Sequence, residues 1–108
     1  MNTKEIVWKL FKEWILEVAT KYGKKTLDFY EVIHILRVCG EVYDNRTMKN
    51  YIECMMSNHW LIPDEDNLLP LLASCTSIYK YKRVKWTINE QATYNGISKD
   101  EILSQILS

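Results

Sequence analysis

Glycine and proline are scarce here, with three and two residues among 108. Both punctuate turns and loops, so long irregular stretches are not expected. Cysteine is also sparse and odd in number: Cys39, Cys54 and Cys75 are widely separated, which excludes a closed disulfide framework. They are expected as free, buried thiols, with one intermolecular bridge as the remaining option. No apolar run approaches the ~20 residues of a membrane span. The apolar residues after Met1 are broken by Lys9, Lys12 and Glu13, which excludes a signal peptide and predicts a cytoplasmic protein. A glycine-rich phosphate loop, a nucleophile elbow and a metalloprotease motif are all missing, so neither an enzyme nor a cofactor is expected. His34 and Cys39 are five residues apart, as are Cys54 and His59. That spacing does not share a helical face, so no metal site is expected.

What is present fits one domain able to bury a core without staples. Hydrophobic residues make up 47% of the chain, and the aromatic set of four Trp, seven Tyr and two Phe is large enough to dominate that core. Fourteen basic and fourteen acidic residues cancel, so bulk charge says nothing about partners. Their distribution does. Residues 67–89 contain no Asp or Glu but carry Lys80, Lys82, Arg83 and Lys85. Residues 64–66 are all acidic. A local patch can steer a ligand where net charge cannot.

Periodicity predicts a helix over residues 3–22, capped by Thr3 and stopped by Gly23. Val7, Phe11, Trp14 and Val18 make its apolar stripe, with Trp8 and Ile15 to one side. The stripe is wide enough to cover a core and leave surplus for a second subunit, or to be spent entirely on the chain's own core. Lys24, Lys25 and Thr26 read as a polar connector. Asp28 or Thr26 caps a second helix running to about Val38, buried through Phe29, Val32, Ile33, Leu36 and the nearby Ile35, and ended by Gly40. Asn45 or Thr47 opens a third helix to about Asn58. Met48, Tyr51, Ile52, Met55 and Met56 lie on its inner side. Arg46, Thr47, Lys49, Asn50 and Glu53 are left outside.

His59 to Ile62 is a short apolar run closed by Pro63. Residues 63–73 look like an inserted loop, with 68–73 an irregular core segment or a turn of helix. Residues 74–79 and 84–88 are rich in β-formers and flank the basic tip Lys80-Tyr81-Lys82-Arg83, which predicts a hairpin over 74–88. Val84, Trp86 and Ile88 alternate with Lys85 and Thr87 as a half-buried strand does. Ser98, with Glu101 three residues on, caps a last helix over 97–107 whose apolar side is Ile102, Leu103, Ile106 and Leu107. The fold class is mainly α with a small antiparallel β-hairpin, organised as an N-terminal helix (1–23), a helix-turn-helix core (26–62), a hairpin (74–88) and a C-terminal helix (97–107) in one domain (1–108).

The stretch from Asn45 to Ile62, NRTMKNYIECMMSNHWLI, resembles the recognition helix of winged helix-turn-helix DNA-binding domains and the strand that follows it. The resemblance extends over residues 26–88. Size, cysteines and the Trp/Tyr-rich hairpin are also similar to winged-helix proteins of viruses and plasmids of thermophilic archaea, for which the compartment is the host cytoplasm. The chain departs from the family in the turn after the recognition helix. Asn58-His59 stands where the family usually has Gly, and Asn tolerates the left-handed backbone required there.

The resemblance implies double-stranded DNA as partner, bound by a dimeric transcriptional regulator. The recognition helix enters the major groove, with Arg46 on guanine or phosphate and Asn50 on adenine. Thr47 and Lys49 suit phosphate. The wing lays Lys80, Lys82, Arg83 and Lys85 on the backbone, with Tyr81 as a stacking or packing partner. Lys24 and Lys25 offer further phosphate contacts. A homodimer is expected through the N-terminal or C-terminal helix. No small-molecule substrate and no membrane partner are expected. Zero net charge and Glu53 favour a second option, a winged-helix assembly module that binds protein and no DNA.

Overall fold

A computed structural model describes residues 2–64 and 77–95. Three helical segments open the chain: α1 (Thr3–Leu10), a π-helical turn (Phe11–Ile15) and α2 (Leu16–Tyr22). Strand β1 (Thr26–Asp28) leads into α3 (Phe29–Val38), and α4 (Asn45–Ser57) follows after a six-residue turn. Strand β2 (Leu61–Pro63), a 3-10 helix (Ile78–Tyr81) and strand β3 (Lys85–Ile88) complete the described elements. The expected helix over 97–107 and most of the inserted loop lie outside the described residues.

The N-terminal helix is continuous, but its buried face differs from the expected one. Val7, Phe11, Ile15 and Ala19 are buried, whereas Trp14 is 40% exposed and Val18 is only partly covered. The π turn is the reason. A π turn accommodates one extra residue, so every later position rolls by one place. Ile15 and Ala19 thereby take the inward places that an unbroken α-helix gives to Trp14 and Val18. The N-cap is Asn2, not Thr3: its side chain accepts from the Glu5 N–H at 2.9 Å. Gly23 terminates α2 in the left-handed conformation at φ 63°, as its position predicts.

Of the expected connector Lys24-Lys25-Thr26, the last residue instead opens a strand, Thr26–Asp28. Leu27 is buried and pairs across from Trp86, with Thr26 opposite Thr87 and Asp28 opposite Lys85. The Asp28 side chain then caps α3 in a reciprocal capping box with Glu31. Its buried side is the expected one, Ile35 included. Gly40 does not close α3 through a left-handed backbone; that conformation falls on Glu41, at φ 54°. Gly40 is needed for space: a Cβ there would lie 2.9 Å from the Leu36 carbonyl oxygen and 3.0 Å from Leu10 Cδ2.

Helix α4 buries Met48, Ile52 and Met55 as its periodicity predicts, and its cap is Asp44 rather than Asn45 or Thr47. After α4 the left-handed residue is His59, at φ 60°, not Asn58. Asn58 instead donates its side-chain amide to the Cys54 carbonyl at 2.8 Å.

The expected hairpin over 74–88 is half right. Residues 85–88 form the strand, with Trp86 and Ile88 inward and Lys85 and Thr87 outward. Its partners are β1 on one side and β2 on the other, giving the antiparallel order β1-β3-β2. Both edges of β3 are taken, so no edge remains for residues 77–79; residues 74–76 lie outside the described ones. Ile78, Tyr81 and Val84 are all buried. Period three is the signature of a 3-10 turn, in which i and i+3 eclipse. Ser77 caps that turn by accepting from the Tyr79 N–H at 3.2 Å.

Trp60 joins the layers. It is fully buried, stacks on Phe11 at 5.9 Å, meets Trp8 at 5.0 Å and donates its indole N–H to the Thr93 carbonyl at 2.7 Å. Among the described residues no helix is long and apolar enough to cross a membrane.

Candidate nucleic-acid interface

The outer face of α4 and the segment from Ser77 to Lys85 lie side by side. Arg46, Lys49 and Asn45 line a shallow recess together with Ser77 and Ile78. A neighbouring recess is lined by Arg37, Tyr30, Met48 and Tyr79, among others. Of the residues expected to bind DNA, Arg46 and Lys49 are thereby brought beside the 3-10 helix that carries Lys80, and they are not equally available.

Glu53 is the hub. Its carboxylate lies 3.2 Å from Lys49 Nζ, one helical turn away, and 3.9 Å from Lys80 Nζ on the 3-10 helix. It also hydrogen-bonds the Tyr81 hydroxyl. Lys80 rests over the Tyr81 ring at 5.1 Å. One carboxylate thus ties α4 to the basic segment and answers one cation on each. Burial, and then the charge and hydrogen bond of Glu53, push the Tyr81 hydroxyl up to about 12. Tyr81 is buried and packs 6.1 Å from Trp86. It is not an exposed stacking residue, which corrects the sequence expectation. The 3-10 turn carries Tyr81 inward with Ile78 and turns Tyr79 out, 56% exposed.

The first turn of α4 is already occupied by an anion. Asp44 accepts from the Thr47 N–H and from the Thr47 hydroxyl, each at 2.9 Å. Thr47 is thereby committed to the cap and not left for phosphate. These bonds, led by the Thr47 N–H, hold the Asp44 carboxyl below its ordinary value, and Arg46 adds to the effect.

Arg46, Asn50, Lys82, Arg83 and Lys85 are exposed. Among the described residues Arg46, Lys82 and Arg83 make no ion pair. Lys85 stands opposite Asp28 in the sheet, and its charge also reaches Glu31. Burial raises the Glu31 carboxyl, but the hydrogen-bonded Lys24 ammonium, the Asp28 N–H and the charges of Lys24 and Lys85 outweigh it and hold that carboxyl low. Lys24 and Lys25 are engaged with Glu31 at 2.7 Å and with Glu90 at 3.2 Å.

Arg37 and Tyr79 belong to the same face and escaped the sequence reading. The signal for Tyr79 was available in the three-residue spacing of Ile78, Tyr81 and Val84. Arg37 lies on α3 and reaches the face only through the packing of α3 against α4. Among the described residues there is no group of three His, Cys, Asp or Glu able to hold a metal. Cys39 and Cys54 are free thiols, and Cys75 lies outside the described residues. Comparison with family models, with curated proteins and with solved structures returned no match.

Proposed function

We propose that this chain is a winged helix-turn-helix domain that binds double-stranded DNA with α4 as its recognition helix. The element order supports the fold reading: two helices joined by a short turn, then an antiparallel strand pair, β2 and β3, against the second helix. The observation that carries the functional reading is the packing of α4 beside the 3-10 helix, which brings Arg46 and Lys49 next to Ser77 and Ile78 and Lys80 next to Glu53, with Lys82 and Arg83 following in the chain. Arg46 and Asn50 suit base edges. Lys82 and Arg83 suit phosphate, as does Lys85 once a phosphate competes with Asp28. Tyr79 takes the packing role first expected of Tyr81. Transcriptional regulation is the biological role such binding serves.

A second reading is an assembly module that binds protein. Asp44 at the start of α4 and Glu53 in its middle favour it, because both oppose phosphate on the same face. Fluorescence anisotropy with a random-sequence duplex at two salt concentrations separates the readings. Binding that weakens steeply with salt supports the DNA domain. No binding at low salt supports the module.

A further inference from the structure

The π turn has a consequence on the opposite side of the N-terminal helix. By rolling Ile15 and Ala19 into the core, it turns Trp14 and Val18 outward, in line with Tyr22, which is 70% exposed. Val18 lines two adjoining surface hollows. One is completed by Trp14, Glu17, Lys21, Tyr22 and Cys39, and the other reaches Tyr30 and His34 on α3. The result is a continuous apolar strip of the kind that marks an interaction surface. Glu17 and Lys21 border it, and neither is in an ion pair among the described residues; Lys21 rests over the Tyr22 ring at 5.5 Å.

The geometry points to a second copy of this chain as the occupant, docked with its helix antiparallel about a two-fold axis at Val18. In a two-fold interface the same patch must complement itself. Here it does. Trp14 lies one turn before Val18 and Tyr22 one turn after, so each Trp14 faces the partner's Tyr22. At 1.5 Å rise per residue, Glu17 and the partner's Lys21 fall roughly 3 Å apart along the axis, within pairing reach. The pairing occurs twice by symmetry. Apolar residues at the centre and opposite charges at the border are the usual anatomy of such a surface. This interface does not depend on the DNA reading, since α4 and the basic segment take no part in it.

Sedimentation equilibrium on the full chain tests it. Wild type is expected as a dimer at micromolar concentration. Trp14→Glu and Val18→Glu should each weaken association on the order of a hundredfold, with circular dichroism and melting of the monomer unchanged. Glu17→Lys alone, or Lys21→Glu alone, should weaken it about tenfold, and the double swap Glu17→Lys/Lys21→Glu should restore it. A wild-type chain that stays monomeric at every concentration overturns the proposal. So does a dimer that tolerates Trp14→Glu and Val18→Glu, or single charge reversals that the double swap fails to rescue.

Discussion

Glu53 controls more of the candidate surface than any cation on it. Along the sequence it is one acid among bases, expected only to repel phosphate. In the folded chain it is the shared partner of Lys49, Lys80 and Tyr81. Glu53→Gln should therefore release two ammonium groups for phosphate. Duplex binding should tighten, and the slope of log K against log salt should steepen by about 0.9 for each additional phosphate neutralised. The same substitution removes the anionic neighbour of Tyr81. Its hydroxyl should then ionise below the value of about 12 reached in wild type, as ultraviolet absorbance under alkaline titration will report. The stabilisation linked to Tyr81 is present below the ordinary tyrosine value of 10.0 and is lost as pH rises through the folded one. A second residue-scale test concerns backbone strain. Glu41 is exposed and held at φ 54°. Glu41→Gly should raise stability by up to about 1 kcal/mol in chemical denaturation, because glycine occupies that region without the Cβ penalty.

Caps and periods separate what was legible in the sequence from what was not. The inner faces of α3 and α4 were readable because both keep an unbroken 3.6-residue period, and the alternation of β3 was equally plain. The N-terminal helix misled at Trp14 and Val18 because a π turn leaves no local mark: the apolar residues fit either register, and only packing against Trp60 and α4 selects one. Strand β1 was hidden by its polar neighbours, since three residues are too few to show alternation and its pairing partner lies some sixty residues away. The basic segment misled for a different reason. Thr, Ile and Tyr favour strands locally, yet β3 had no free edge to offer them. Asp44 caps α4 and Glu31 completes the capping box of α3, and both carboxyls are held below their ordinary values. Their contribution to stability is complete above the ordinary value, 4.5 for Glu31, and is lost as pH falls through the lowered folded value. Thermal melts from pH 7 to 3 should show the melting temperature dropping at the acid end. The drop should be shallower in Glu31→Gln and Asp44→Asn, whose neutral caps do not titrate. At the junction of α1 with the turn, Gly40→Ala should cost about 1–3 kcal/mol in urea unfolding, because the new methyl meets a backbone oxygen that cannot step aside.

At the scale of the whole molecule, two faces divide the work proposed for it. One presents α4 beside the 3-10 helix, with Arg46 outside any ion pair among the described residues and Lys49 and Lys80 held in reserve by Glu53. The other presents the strip turned out by the π turn. Net charge is zero, so any steering of a partner comes from local charge. Lys80 of the expected hairpin tip meets Glu53, and residues 78–81 form a 3-10 helix in place of that tip. The expected mainly helical chain with a small antiparallel β element is present, and β3 pairs with β1 and β2 rather than with a second wing strand.

The most direct test is duplex binding followed by fluorescence anisotropy across salt concentration, for wild type and for Lys82→Ala/Arg83→Ala. The proposed function predicts salt-sensitive binding by wild type to duplexes of any sequence. In the double variant binding should weaken for all of them, with the salt slope flattened by roughly 1.8, the value for two phosphates left unneutralised. An unchanged slope would remove the basic segment from the interface, and no binding by wild type at low salt would contradict the DNA-binding function itself.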